Sequence, residues 1–322
     1  MEPLVMGIDI GGTNVVLAAA DAKRHVVAER VIPTRAVDGP DGVLDRIARE
    51  VERLLTELPG RSRLAGIGVG VPGLVSSTQG LSRISPNLGW RDVNVAEYFH
   101  RRFGVPTWID NDVRVATLGE HVFGAGRGLR NFICVTLGTG VGAGIVLDGQ
   151  LYVGVTESAG EIGHLTVEKE GLPCGCGNRG CLEQYASGRA IARRAQERLR
   201  EGVRSSLWTL VDGAVDRVTA KHVAAAFAQG DDLAREVLTE AAEYLAIGLA
   251  GAIHLFNPER IIVGGGVSLA GEPFLELVRQ AVGRRVWEVP LSAVSIVRAE
   301  LGDRSGVMGA AALALRRLSG AV

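Results

Sequence analysis

The sequence predicts an α/β protein built as two domains. Three observations lead there. Segments of helical period alternate with short apolar strands along the chain, a glycine-turned hairpin occurs twice, and 322 residues exceed what one hydrophobic core usually organises. Composition agrees: 47% apolar and 22% charged residues are the proportions of a soluble globular chain, which excludes global disorder. A formal net charge of −1, from 35 basic and 36 acidic side chains, excludes a strongly basic nucleic-acid binder. The longest uncharged stretch of interest, residues 131–147, carries four glycines and two threonines in 17 positions, which suits strands and turns rather than a bilayer span. The opening M-E-P-L-V-M-G-I-D-I has neither a basic n-region nor a continuous apolar run, so no secretory signal is expected and a cytoplasmic location follows.

Taken in order, residues 4–10, 14–20 and 25–33 read as three strands of a meander, separated by G-G-T and D-A-K-R turns. Between positions 40 and 59, Val43, Ile47, Val51, Leu54, Leu55 and Leu58 share one helical face. Residues 64–71 form a buried strand. Residues 72–90 are turn-rich without usable periodicity, and a long loop of that kind is expected to be functional or disordered. A short helix near 95–103 and a strand at 107–110 follow, and a helix begins at Asn111. The second hairpin pairs 132–137 with 142–147 across Gly138-Thr139-Gly140, repeating the plan of the first. Residues 182–200, 219–229 and 231–256 have helical period, 260–263 is a strand ending in three glycines, and 307–318 is a last apolar helix.

Several motifs carry chemistry. In D-I-G-G-T-N, Asp9 to Asn14, adjacent glycines let backbone N–H groups approach phosphate oxygens, Thr13 adds a hydroxyl, and Asp9 can hold a phosphate-bound Mg²⁺ through water. A plain hairpin turn explains the same residues equally well. L-G-T-G-V-G-A-G, residues 137–144, has the same design, and Gly264-Gly265-Gly266 offers a flat patch for a base. Gly68 to Gly73 matches G-x-G-x-x-G, yet Pro72 and the polar run L-V-S-S-T-Q-G-L-S follow where a dinucleotide site requires a helix. No G-K pair exists, which excludes a Walker A loop.

Cys174, Cys176 and Cys181 sit within eight residues, with His164 ten residues upstream, a set suited to a closed, structural zinc site. A redox pair or unpaired thiols remain alternatives, because C-x-C is tighter than the usual spacing. Cys134, inside a strand, reads as a core residue. In I-D-N-D, Asp112 closes a strand and opens a helix, where the helix N-terminus favours its ionised form; capping of that helix is the competing explanation. Glu161 and Glu183 bracket the cysteine cluster, so a metal there would fix them relative to each other; for each, a solvent-exposed acid is the alternative.

Together D-I-G-G-T-N, V-P-G-L with S-P-N-L-G-W, I-D-N-D, T-L-G-T-G-V-G-A-G, E-S-A-G-E-I-G-H, C-G-C-G-N-R-G-C-L-E and I-I-V-G-G-G resemble the ROK family (repressors, open reading frames and sugar kinases), and within it the bacterial glucokinases. The resemblance implies the two-domain actin-like ATPase (ribonuclease H-like) fold with a cleft between domains. It places residues 1–112 plus about 303–322 in a small domain and 113–302 in a large one. It implies ATP-dependent phosphorylation of the 6-hydroxyl of glucose, with another hexose or a non-catalytic sugar sensor as alternatives. Asp112 would be the general base, and Asn87, Asn111, Glu161, His164 and Glu183 would bind the sugar together with it. Gly11, Gly12, Thr13, Gly138, Thr139 and Gly140 would line the phosphates, Gly264, Gly265 and Gly266 the adenosine, and Asp9 would orient Mg²⁺. His164, Cys174, Cys176 and Cys181 would hold structural Zn²⁺. A homodimer is implied. Repressors of the family carry an N-terminal helix-turn-helix; with the first strand at Leu4 none is expected here, and neither nucleic acid nor membrane is an expected partner. Arg114 occupies a position that varies within the family.

Overall fold

A computed structural model describes residues 3–58 and 63–320. The chain forms two compact units, one of Met1–Leu129, Gly144–Ala159 and Glu300–Val322, the other of Arg130–Ala143 and Gly160–Ala299.

The first unit is built on a five-stranded sheet. Strands β1 (Pro3–Ile10), β2 (Asn14–Asp21) and β3 (Val26–Pro33) form an antiparallel meander. After helix α1 (Gly39–Glu57), β4 (Arg63–Val71) pairs parallel with β1. The small strands β5 (Leu74–Ser76), β6 (Leu81–Ser85) and β7 (Trp90–Asn94) make a separate antiparallel sheet, and α2 (Val95–Phe103) leads to β8 (Thr107–Asn111), parallel to β4. The main sheet therefore runs β3-β2-β1-β4-β8. Residues 72–90, turn-rich by composition, thus hold strands. Each strand spans three to five residues, too few for alternation to register.

Side-chain alternation along β1 decides what covers the sheet. Met6, Ile8 and Ile10 face a core shared with Val43, Leu44, Ile47, Val51 and Leu54 of α1 and Phe99 of α2. Val5 and Gly7 face the C-terminal helix, Ser305–Leu318, whose Ala311 and Ala314 are buried there. That helix also lies against α3 (Asp112–Phe123), and contact is by backbone. A Cβ at Gly309 would stand 1.6 Å from the Val115 carbonyl oxygen, and one at Gly68 would stand 1.9 Å from that of Ala310. Gly68 of the G-x-G-x-x-G run is therefore a packing residue. The sequence-based boundary at 112 detached α3 from the helix it packs on; the first unit instead runs through Leu129, regains Gly144–Ala159, and resumes at Glu300.

The second sheet runs β11-β10-β9-β12-β13, from β9 (Phe132–Leu137), β10 (Val141–Leu147), β11 (Gln150–Tyr152), β12 (Arg260–Gly264) and β13 (Ser295–Arg298). Its order repeats that of the first: a hairpin on one side of the leading strand, parallel neighbours on the other. Between β11 and β12 come α4 (Glu183–Ala186), α5 (Gly188–Arg200), α6 (Leu207–Leu210), α7 (Ala220–Ala228) and α8 (Asp232–Phe256). The stretch 182–200 is two helices rather than one, because Ser187 is extended (φ −74°, ψ 163°) and its hydroxyl accepts the Ala190 N–H to start α5. Helices α9 (Glu272–Gly283) and α10 (Glu288–Ala293) lie between β12 and β13. Among the described residues no helix is long and apolar enough to cross a membrane.

Candidate active site

In the first unit, the candidate residues gather at the carboxyl ends of β1 and β8. The first turn closes by the Gly11 N–H donating to Asn14 O at 2.9 Å, and is tied to the end of β3 by the Thr34 hydroxyl, which donates to Gly11 O at 2.6 Å, and the Thr34 N–H, which donates to Thr13 O at 2.8 Å. Asn87 stands beside it, its Cβ 3.5 Å from where a Cβ on Gly12 would be.

Asp9 ends β1 with its carboxyl pushed up to about 7, by burial first and by the Asp112 carboxylate second. Two acids sharing a site in this way form a pocket of negative potential that a cation relieves. A residue that sequence reasoning missed completes it. A Cβ on Gly306, in the first turn of the C-terminal helix, would lie 2.1 Å from Asp9 Oδ2, so only glycine leaves the carboxylate its place. Distance in sequence, almost 300 residues, hid this partnership.

At the other strand end the structure separates two roles that the sequence left mixed. Asn111, not Asp112, caps α3: its φ and ψ are −61° and 143°, and its side-chain oxygen accepts from Val113 N at 3.0 Å and Arg114 N at 3.2 Å. Its amide donates to Gly73 O at 3.0 Å and to Asp112 Oδ1 at 2.9 Å. Asp112 is the first helical residue, and its Oδ1 also receives the Val113 N–H at 2.9 Å. These donors and the helix dipole favour its ionised form. Behind it, the buried Arg114 pairs with Asp110 at 2.5 Å and reaches the backbone oxygen of Glu157. Burial opposes ionisation of Glu157, but hydrogen bonds from Thr78 and Ser77, with the Arg114 charge, hold its carboxyl below the usual range. Sequence periodicity gives no sign of this cluster, because its parts come from three separated segments.

In the second unit, the turn at Gly138-Thr139-Gly140 closes through Gly138 N–H to Gly140 O at 3.0 Å, and Gly138 O accepts the N–H of Gly188 at the start of α5. Glu183, heading α4, comes close: a Cβ on Gly140 would be 2.9 Å from its Oε2. Gly265, at φ +81°, brings the 264–266 run to within 2.5 Å of the Leu137 oxygen, measured from the Cβ it lacks. The second hairpin turn, the glycine patch and Glu183 are thereby neighbours.

His164, Cys174, Cys176 and Cys181 offer ligand atoms that all lie within 4.8 Å of one another. Cys176 and Cys181 sulfurs stand 3.7 Å apart, as do the Cys174 sulfur and His164 Nδ1. A disulfide needs about 2.05 Å. Tetrahedral zinc with bonds of about 2.3 Å sets its ligand sulfurs roughly 3.8 Å apart, so the donor set fits that ion. Without a metal, burial and then a hydrogen bond to Glu183 push the Cys174 thiol up to about 12, and a bound cation inverts that preference. The ring of His164 is divided between two tasks: Nδ1 faces the sulfurs, and Nε2 stands 3.9 Å from Glu161 Oε2. Cys134 is buried in β9, as its strand position predicts.

Two sheets of matching order, each headed by a glycine-turned hairpin, define the two-domain actin-like ATPase fold. Within that class the chain belongs to the ROK family, whose model matches residues 5–317. It is 36% identical over 316 residues to the glucokinase of Streptomyces coelicolor, covering 97% of each chain. It is 30% identical over 312 residues to the xylose repressor of Caldicellulosiruptor bescii, covering 97% of this chain and 78% of the repressor. A crystal structure of a ROK family glucokinase from Streptomyces griseus in complex with glucose and AMPPNP superposes with a TM-score of 0.86 at 36% identity, covering 97% of this chain and 99% of that one.

Proposed function

We propose that the protein is an ATP-dependent sugar kinase that phosphorylates the 6-hydroxyl of glucose. One observation carries the reading: Asn111 takes over capping of α3, which leaves the Asp112 carboxyl group at a helix N-terminus beside a second acid, Asp9. The likeness to glucokinases over nearly the whole chain supports the same choice of acceptor.

In this reaction Asp112 accepts the proton of the sugar 6-hydroxyl as that oxygen bonds to the γ-phosphorus and the bond to ADP breaks. Asn87, Asn111, Glu161, His164 and Glu183 bind and orient the sugar. The turns at Gly11-Gly12-Thr13 and Gly138-Thr139-Gly140 present N–H groups to the phosphates, and Gly264-Gly265-Gly266 takes the adenosine. Asp9 would hold Mg²⁺, whose charge would neutralise that of the phosphates. His164, Cys174, Cys176 and Cys181 would hold zinc, which would fix the orientation of His164 and the loop preceding Glu183. A cytoplasmic homodimer belongs to the same reading, supported by family membership.

The decisive experiment couples ADP release to a readout across glucose, mannose, fructose, N-acetylglucosamine and N-acetylmannosamine. Glucose is expected to give the highest kcat/KM. Preference for another hexose would move the specificity within the same chemistry. ADP release with none of them, alongside measurable sugar binding, would favour the sugar-sensing alternative that the repressor likeness keeps in view.

A further inference from the structure

Arg114 follows the proposed general base by two positions and is only 3% exposed, although it is an arginine on a first helical turn. Its guanidinium is clasped from two sides. Nε and Nη2 each lie 2.5 Å from Asp110 Oδ1, and Nη1 donates to the main-chain oxygen of Glu157. Asp110 Oδ1 also receives the N–H of Asn111 at 2.7 Å, so the same carboxylate steadies the backbone of the cap residue.

The second arm leads outward. Glu157 holds a left-handed φ of 56°, rare for a side-chain-bearing residue, and its carboxylate receives the Thr78 hydroxyl at 2.6 Å and the Ser77 N–H. The start of α3, the loop at 153–159 and the turn between β5 and β6 are thus joined through one buried cation. Asp110, Glu157, Arg316 and Arg317 line a cavity of about 230 Å³ beside it.

We propose that Arg114 is a positioning residue for the phosphoryl transfer: its clasp on Asp110 and on the Glu157 backbone fixes the turn that carries Asn111 and Asp112, and hence the direction in which the Asp112 carboxylate projects. Position 114 touches neither sugar nor nucleotide in this scheme. The inference rests on Asp112 being the base, so its test separates the two.

The experiment compares kcat, the KM for glucose and the KM for ATP in wild type, Arg114→Met, Arg114→Lys, the double variant Asp110→Asn with Arg114→Met, and Asp112→Asn, with thermal unfolding of each. Arg114→Met alone strands the Asp110 charge, which is strongly destabilising for a buried pair; the double variant removes both charges and restores folding. In the double variant kcat is expected to fall about 10- to 100-fold, the scale set by a misplacement of roughly 1 Å, with both KM values within about threefold of wild type. Lysine restores the charge without the fork, and is expected to recover less than about a third of the lost kcat. A double variant with kcat within about twofold of wild type, or full rescue by lysine, overturns the proposal. A kcat of a tenth of wild type or more in Asp112→Asn overturns the general-base reading instead, a failure read on a different variant.

Discussion

At the residue scale, the site depends on which neighbour performs which task. Position 112 was legible in sequence as an acid at a strand-to-helix junction, but the sequence does not say which of Asn111 and Asp112 caps the helix. Both are good N-caps, and only the observed bonds from Val113 and Arg114 to Asn111 decide it. If Asp112 is the base, Asp112→Asn lowers kcat by about 10² to 10⁴, while glucose affinity, measured by calorimetry, changes far less. A variant keeping a tenth of wild-type kcat removes the residue from that role. The clustering of His164 with Cys174, Cys176 and Cys181 was legible because the cysteines are close in sequence. Metal analysis of purified, active protein is expected to give about one zinc per chain, and far less than that in a fully active sample refutes the site. Gly306 beside Asp9 was not legible, since neither residue carries a mark of the other.

At the element scale, most strands and helices could be read from the sequence, the five-residue β8 and β12 among them, and a few could not. The sheet within 72–90 and the break at Ser187 are of the second kind; the first lacks length, and the second depends on one side chain's choice of rotamer and partner. How elements touch is a further matter. The C-terminal helix meets α3 through Gly119 and Gly309, and the Cβ of an alanine at 309 would meet the Val115 oxygen at 1.6 Å. Gly309→Ala is therefore expected to lower stability in urea titration by about 1–3 kcal/mol or more, although alanine favours helices. An unchanged midpoint would mean that the two helices can part without cost.

The last turns of these helices carry a pH dependence as well. His121 of α3 has its Nε2 3.2 Å from Leu129 O and its Nδ1 3.3 Å from an Arg316 nitrogen. Burial first, and the Arg316 charge second, lower its pKa from the ordinary value of 6.5. A lowered histidine contributes stability that is full above the unfolded value and is lost as pH falls through the folded one. Melting temperature should therefore drop more between pH 7 and pH 5 in wild type than in His121→Gln; parallel curves would contradict this.

At the scale of the whole molecule, the repeated sheet order was foreshadowed by the two hairpins, and the α/β class by alternation alone. The division into units was harder to read. Sequence adjacency suggested that α3 opens the second domain, whereas its packing against the C-terminal helix places it in the first. Contacts between residues 115 and 309 leave no trace in local periodicity.

The C-terminal helix has one more consequence. It covers the β1 and β4 backbone at Gly7 and Gly68, yet it is made of residues 305–318. On a ribosome, the sheet begun by β1 must wait, one side bare, until residues 305–318 have been synthesised, while the unit of Arg130–Ala143 and Gly160–Ala299 already has most of what it needs. Assembly order is thus inverted with respect to translation, and nascent chains stalled just short of position 305 are the species on which chaperones should act most.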